Sequence, residues 1–313
     1  MVPPGVPRAP RIVSLLPGAT AMVYALGLDD ALLGVSHVCD QPPGKAPKPR
    51  VVRPSLPLEG LSPSEIDRVV SERLRDGKGL YEIDRSLLRA LRPELILTQG
   101  LCEVCAISGD ELAPVVEELE PRPDLLEQNP HTLRGILDCL VELGERTGRA
   151  EKARELRALA EARLTAVRER TEGLARRTAV VLEWMDPLYC SGHWTPEMVE
   201  LAGGTDPLGR KGELSVRLGV EELRRSAADV LVLAPCDVPI PEAVSQARAA
   251  LRPEVLEGLP ALRTGEVYAV DAHRYLACPG PGVVEGTELL GHLLHPEAVE
   301  WNGPADAFLR VAL

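Results

Sequence analysis

A chain of 313 residues is long enough for one large domain or for two lobes that each bury a core. Hydrophobic residues at 45% and charged residues at 26% exclude a disordered or fibrous chain. With 35 Lys and Arg against 47 Asp and Glu the net charge is −12, which makes nucleic acid and anionic membrane surfaces poor partners.

Residues 11–17, RIVSLLP, read as a short apolar strand closed by Pro-Gly, and 19–26 as a helix stopped by Gly27. Residues 31–37 supply a second strand. The prolines between 39 and 63 predict an extended surface loop. Residues 85–99 read as a helix, an Arg-Pro break and the strand ELILT. Helices are expected at 109–119 and at 132–147, where Leu133, Ile136, Leu137, Leu140 and Val141 share one face. The Ala-, Glu-, Arg- and Leu-rich stretch 148–177 reads as one long helix of about 45 Å at ~1.5 Å per residue. Alternation then restarts with strands at 178–184, 228–235 and 266–272 and helices at 196–202 and 284–294, before a tail that docks or frays. The expected organisation is a disordered arm at 1–10, an α/β lobe at 11–147, a bridging helix at 148–177, a second α/β lobe at 178–296 and a tail at 297–313.

The first seven residues contain three prolines, and the first twenty hold neither a basic segment nor an apolar export segment. No stretch reaches the ~18 apolar residues of a membrane span. These features predict a cytoplasmic protein without membrane insertion. The seven cysteines are then expected to be free, buried, metal-bound or redox-active.

Several segments resemble the substrate-binding proteins with a helical backbone that serve ABC transporters, the class III periplasmic-binding type, and within them the cobalamin binders. They are RIVSLLPGATAMVYALGL at 11–28, LLRALRPELILTQ at 87–99, NPHTL at 129–133, LEWMDPLYCSGHWTPEMVELAGG at 182–204 and GEVYAVDAHRY at 265–275. The resemblance spans about 11–296. It implies two Rossmann-like α/β lobes bridged by one long helix, a ligand in the cleft and little hinge motion. Gly282 stands where the resembled proteins tend to carry Arg. A transporter partner is left open, because transporter-linked relatives carry an export or lipoprotein signal.

In open α/β sheets ligands bind at the carboxyl ends of the strands, so the loops after Leu16, Val35, Thr98, Glu183, Leu233 and Val270 are expected to rim the cleft. Pro17, Gly18 and Ala19 offer a close backbone approach at a helix start, or simply a tight turn. Gly192, His193 and Trp194 combine a permissive backbone, an imidazole and a flat indole, with Trp184 on the same wall; His193 is equally readable as a structural hydrogen-bonder. His37 and Tyr275 complete the ligand-binding candidates. Cys39, Cys102, Cys105 and Cys236, with His37 nearby, form an alternative set, since thiolates select zinc, iron-sulfur or copper(I). Cys139 reads as packing, and Cys190 and Cys278 are ambiguous. Asp186, Glu197, Asp237 and Asp271 lie near strand ends, yet nothing fixes a catalytic pair.

The leading expectation is a non-enzymatic protein holding cobalamin or a related corrinoid between its lobes. The alternative is a cysteine-ligated zinc or iron-sulfur protein, and a thiol redox enzyme using the CEVC pair at 102–105 is a third reading.

Overall fold

The structure is a computed structural model that describes residues 8–313 apart from 101–106, 108, 253–255 and 257. The chain divides into two α/β units. The first comprises Met1–Pro130, Arg134–Ala158 and Pro279–Pro281; the second comprises His131–Leu133, Leu159–Cys278 and Gly282–Leu313.

The first unit contains β1 (Ile12–Ser14), α1 (Pro17–Ala25), β2 (Leu32–Ser36), β3 (Arg50–Pro54), α2 (Pro63–Arg75), β4 (Tyr81–Ile83), α3 (Arg85–Leu91), β5 (Leu95–Thr98), α4 (Gly109–Glu117), β6 (Asp124–Glu127) and α5 (Leu133–Arg146). Its strands form one sheet in the order β4-β3-β2-β1-β5-β6, parallel except for β4. The order reverses beside β1, with β2 on one side and β5 on the other, which opens a crevice at their carboxyl ends. Val13, Leu15, Ile96, Leu88 and Leu112 are almost fully enclosed in the core on one face. The stretch read as a surface loop holds β3 instead. Val51 and Val52, 0% and 2% exposed, bury this strand beside β2. Ser62 starts α2 by a reciprocal cap with Glu65, a signal that the surrounding prolines obscured.

The long helix α6 runs from Ala150 to Thr171, shorter than the expected 148–177. Glycines set both limits: Gly148 at φ +71° breaks it from α5, and Gly173 at φ +79° follows its last turn. Residues 150–158 of this helix belong to the first unit and residues 159–171 to the second.

The second unit adds β7 (Arg177–Met185), β8 (Leu188–Cys190), β9 (Gly192–His193), α7 (Thr195–Leu201), β10 (Gly204–Thr205), β11 (Arg210–Lys211), α8 (Val220–Arg225), β12 (Val230–Leu233), α9 (Ile240–Ala250), α10 (Pro260–Thr264), β13 (Val267–Val270), one π-helical turn (His273–Ala277), α11 (Gly282–Leu294) and β14 (Phe308–Arg310). The main sheet runs β10-β7-β12-β13-β14, with β8 folded back antiparallel on β7. The continuous apolar run of β12, Val230, Leu231, Val232 and Leu233, is 0% exposed throughout, as a central parallel strand requires. The tail is ordered by β14, which pairs antiparallel with β13. None of the helices among the described residues is long and apolar enough to cross a membrane.

Candidate functional site

At the carboxyl end of β1 the chain turns into α1 without a side-chain cap, with Pro17 in the first turn. Gly18 is required by what covers it: a β-carbon there would overlap the carbonyl of Pro279. Ala19 is fully enclosed. Beneath the turn the Thr20 hydroxyl lies 2.8 Å from Ser14 Oγ and 3.1 Å from Cys39 Sγ, a buried polar knot that fixes the loop. His37, just past β2, rests beside the Tyr81 ring with centroids 5.5 Å apart, its Nδ1 3.2 Å from the Ser36 hydroxyl.

In the second unit the candidate residues sit on the strand turn that follows β7 and β8. Gly192 has no room for a side chain, because a β-carbon would stand 2.5 Å from the Ser215 nitrogen. Its N–H donates to Glu183 Oε1 at 3.0 Å, and the Ser215 side chain hydrogen-bonds the same carboxyl; burial, the dominant effect, pushes the Glu183 pKa up. Asp206 is raised for the same reason, though it accepts from the Ser191 hydroxyl at 2.8 Å and from the N–H groups of Leu208 and Gly209. These two carboxyls anchor the loop from behind.

His193 adopts a left-handed backbone at φ +52° and stacks on Trp194, with centroids 5.5 Å apart and planes 27° from parallel. The indole is 4% exposed and its Nε1–H donates to the Leu276 carbonyl at 2.7 Å, so Trp194 backs the imidazole from the interior and offers no open face. The imidazole is half-buried. Burial first, and the nearby His131 second, hold its pKa below the usual histidine value. Trp184 is also half-buried, its Nε1–H donating to the Asp186 carbonyl.

Tyr275 lies inside the unit at 1% exposure, edge-on to Trp301 and under the Arg274 guanidinium 5.0 Å from its ring centre. No side chain fits at Gly282, since a β-carbon would overlap the Arg274 carbonyl, so the Arg that the resemblance implies at this place has no room here. The acidic candidates are engaged locally: Glu197 accepts the Leu133 N–H at 2.9 Å, Asp271 accepts that of Arg274, and Asp237 lies 3.2 Å from His273 Nδ1.

Cys102 and Cys105 lie outside the described residues. Cys39 is buried in the first unit and Cys236 is exposed in the second. Among the described residues no group of three or more His, Cys, Asp or Glu side chains is arranged to hold a metal. The sequence reading passed over His131, whose ring lies 5.7 Å from that of His193, and the contact between His273 and Cys278. His131 stood in the quoted NPHTL segment, but its partner is distant in sequence, and no local pattern announces such a pairing.

The sequence profile described as "Periplasmic binding protein" matches residues 12–273. The chain belongs to the periplasmic binding protein family. That family consists of substrate-binding proteins and not enzymes. Among solved structures, this periplasmic binding protein is similar to the periplasmic heme-binding protein RhuT from Roseiflexus sp. RS-1 in apo form, at 20% identity and a TM-score of 0.69, covering 93% of this chain and 99% of that one. It is also similar to the periplasmic vitamin B12 binding protein BtuF of Vibrio cholerae, at 21% identity and a TM-score of 0.63, over 91% and 96% of the two chains. A third is the ABC-type Fe3+-hydroxamate transport system of Saccharomonospora viridis DSM 43017, at 20% identity and 0.63, over 92% and 94%. No curated protein matches the chain. At these identities the likeness is one of fold: two α/β units bridged by a long helix.

The family overturns the cytoplasmic expectation. Its members are periplasmic, as are the heme and vitamin B12 binders of the same fold, and they point to the periplasm or the cell exterior. The first residues of the chain carry less information about compartment than the whole of its fold. The inference that a reducing cytosol keeps the thiols unpaired lapses with that correction.

Proposed function

We propose that this periplasmic binding protein takes cobalamin or a related corrinoid as its solute and delivers it to a membrane ABC transporter. The solute contacts are the 17–19 turn with His37 in the first unit, and Trp184, Gly192 and His193 in the second, with Trp194 and Tyr275 supporting them from inside. The observation that carries the reading is His193: an imidazole held in a left-handed backbone, backed by an enclosed indole, with its Nδ1 lacking a partner. Strain and an unsatisfied polar atom gather where a ligand completes the structure. The resemblance of 182–204 to cobalamin binders supports the corrinoid within the range of metal chelates that proteins of this fold are described as binding.

The test is the visible spectrum of the full chain after incubation with hydroxocobalamin and desalting. Retained corrinoid bands at about one per chain, weakened in His193→Ala, are the expected result. A colourless protein after desalting, with heme retained in a parallel incubation, would replace corrinoid by a porphyrin. Equal corrinoid retention by wild type and His193→Ala would remove His193 from the contacts.

A further inference from the structure

The closeness of His131 to His193 is a feature that the proposed solute contacts do not use. His131 belongs to the short segment His131–Leu133 that joins the second unit, and the bond from the Leu133 N–H to Glu197 Oε2 pins that segment in place. His193 is held from another direction, its N–H donating to the Glu213 carbonyl at 2.7 Å and its ring lying on Trp194. The two imidazole centroids are 5.7 Å apart and the planes are inclined by 52°. Nδ1 of His193 is enclosed and makes no hydrogen bond. A non-glycine residue at φ +52° is strained, and a buried polar atom without a partner is unfavourable as well. The fold bears both costs at the one place where it brings a second imidazole alongside.

We propose that His131 and His193 together bind one divalent first-row transition-metal ion, each through a ring nitrogen, with water or donor atoms of a solute in the remaining positions. With metal–nitrogen bonds of about 2.1 Å and a ring radius of about 1.2 Å, each centroid stands roughly 3.3 Å from the ion, and a tetrahedral angle puts two such centroids about 5.4 Å apart. The observed 5.7 Å is wider by a margin that a small side-chain rotation closes. Imidazole donors favour zinc, copper, nickel, cobalt or iron over magnesium and calcium. The two rings would occupy adjacent positions on the ion. A flat tetrapyrrole leaves only two opposite positions free, so this ion is not the centre of a bound macrocycle, and the site stands apart from the corrinoid reading although it shares His193.

The probe is Ni2+ alone, titrated calorimetrically into the full chain after removal of metals with a chelator. One ion per chain is expected, with affinity lowered at least tenfold in His131→Ala and in His193→Ala, since loss of even an outer partner of a metal ligand costs about that much. His131 is exposed, so its replacement leaves the packing of His193 on Trp194 in place and keeps the test independent of folding. Absence of saturable binding, or binding unchanged in His131→Ala, overturns the proposal. Hydroxocobalamin retention is measured on the same preparations: corrinoid retained by a His131→Ala protein that has lost Ni2+ supports the separate cation site, and Ni2+ bound by a protein that retains no corrinoid defeats the solute reading alone.

Discussion

The backbone of Gly286 in α11 rests directly on the carbonyl group of Tyr275, leaving no space for a β-carbon between them. Gly282, one turn earlier, meets the Arg274 carbonyl in the same way. Two glycines four residues apart let the helix lie flush against the π-helical turn that carries His273, Tyr275 and the carbonyl partner of Trp194. Gly286→Ala is therefore expected to destabilise the second unit by about 1–3 kcal/mol, the cost of overpacking against an unyielding backbone. Glu285→Ala on the same helix removes only a surface ion pair with Arg274, 3.5 Å apart, and should cost less than about 1 kcal/mol. Urea denaturation of both variants checks the contrast, and equal costs would show that the glycine contact is not tight.

Much of this architecture was legible. The apolar runs at 228–235 and 266–272 gave β12 and β13 because a central parallel strand is enclosed on both faces and needs no alternation. Boundaries failed where one residue changed the backbone, as at Gly148 and Gly173. In β3, two buried valines outweighed the prolines around them. Of the candidate site, Gly192, His193 and Trp194 stand out in the sequence as a motif, but the inward position of Trp194 follows from its bond to Leu276, far along the chain. The proximity of His131 to His193 is likewise a product of tertiary packing.

Glu183 has its pKa raised in the folded protein, mainly by burial, so the fold favours its protonated form. A carboxyl raised in this way contributes stability that is complete below its unfolded pKa and is lost as pH rises through the folded one. Glu183→Gln keeps an acceptor for the Gly192 N–H and removes the titration. The melting temperature of the wild type should fall relative to Glu183→Gln as pH increases from the acid side of the ordinary carboxylate range toward neutrality. Parallel curves for the two proteins would mean that the carboxyl is ionised and satisfied in the fold.

The thiols should separate sharply in reactivity. Burial, aided by Glu142 and Asp138, pushes Cys139 up to about 12, whereas Cys236 is exposed. In a protein with Cys102 and Cys105 replaced by Ser, iodoacetamide at pH 8 should alkylate Cys236 long before Cys139, as followed by peptide mass spectrometry. Comparable rates would place Cys139 in a more open environment than its half-buried helix position.

Arg163 and Glu288 join α6 to α11 through two parallel bonds of 2.8 and 2.6 Å. Both side chains are partly solvated, so a double-mutant cycle with Arg163→Ala and Glu288→Ala should return a coupling of about 0.5–1 kcal/mol. Strict additivity of the two single changes would mean that the pair contributes nothing beyond its separate contacts.

The three residues Pro279–Pro281 count with the first unit, where Pro279 closes over Gly18. Gly18 precedes Pro279 by most of both units, so the ribosome makes this loop long before the residue that closes over it. Until then the turn after β1 stands uncovered, and a chain interrupted anywhere between the two would hold a sheet with an open crevice at its centre. Maturation of the first unit is thereby tied to completion of the second, a dependence that favours delivery of the whole polypeptide over the survival of truncated pieces.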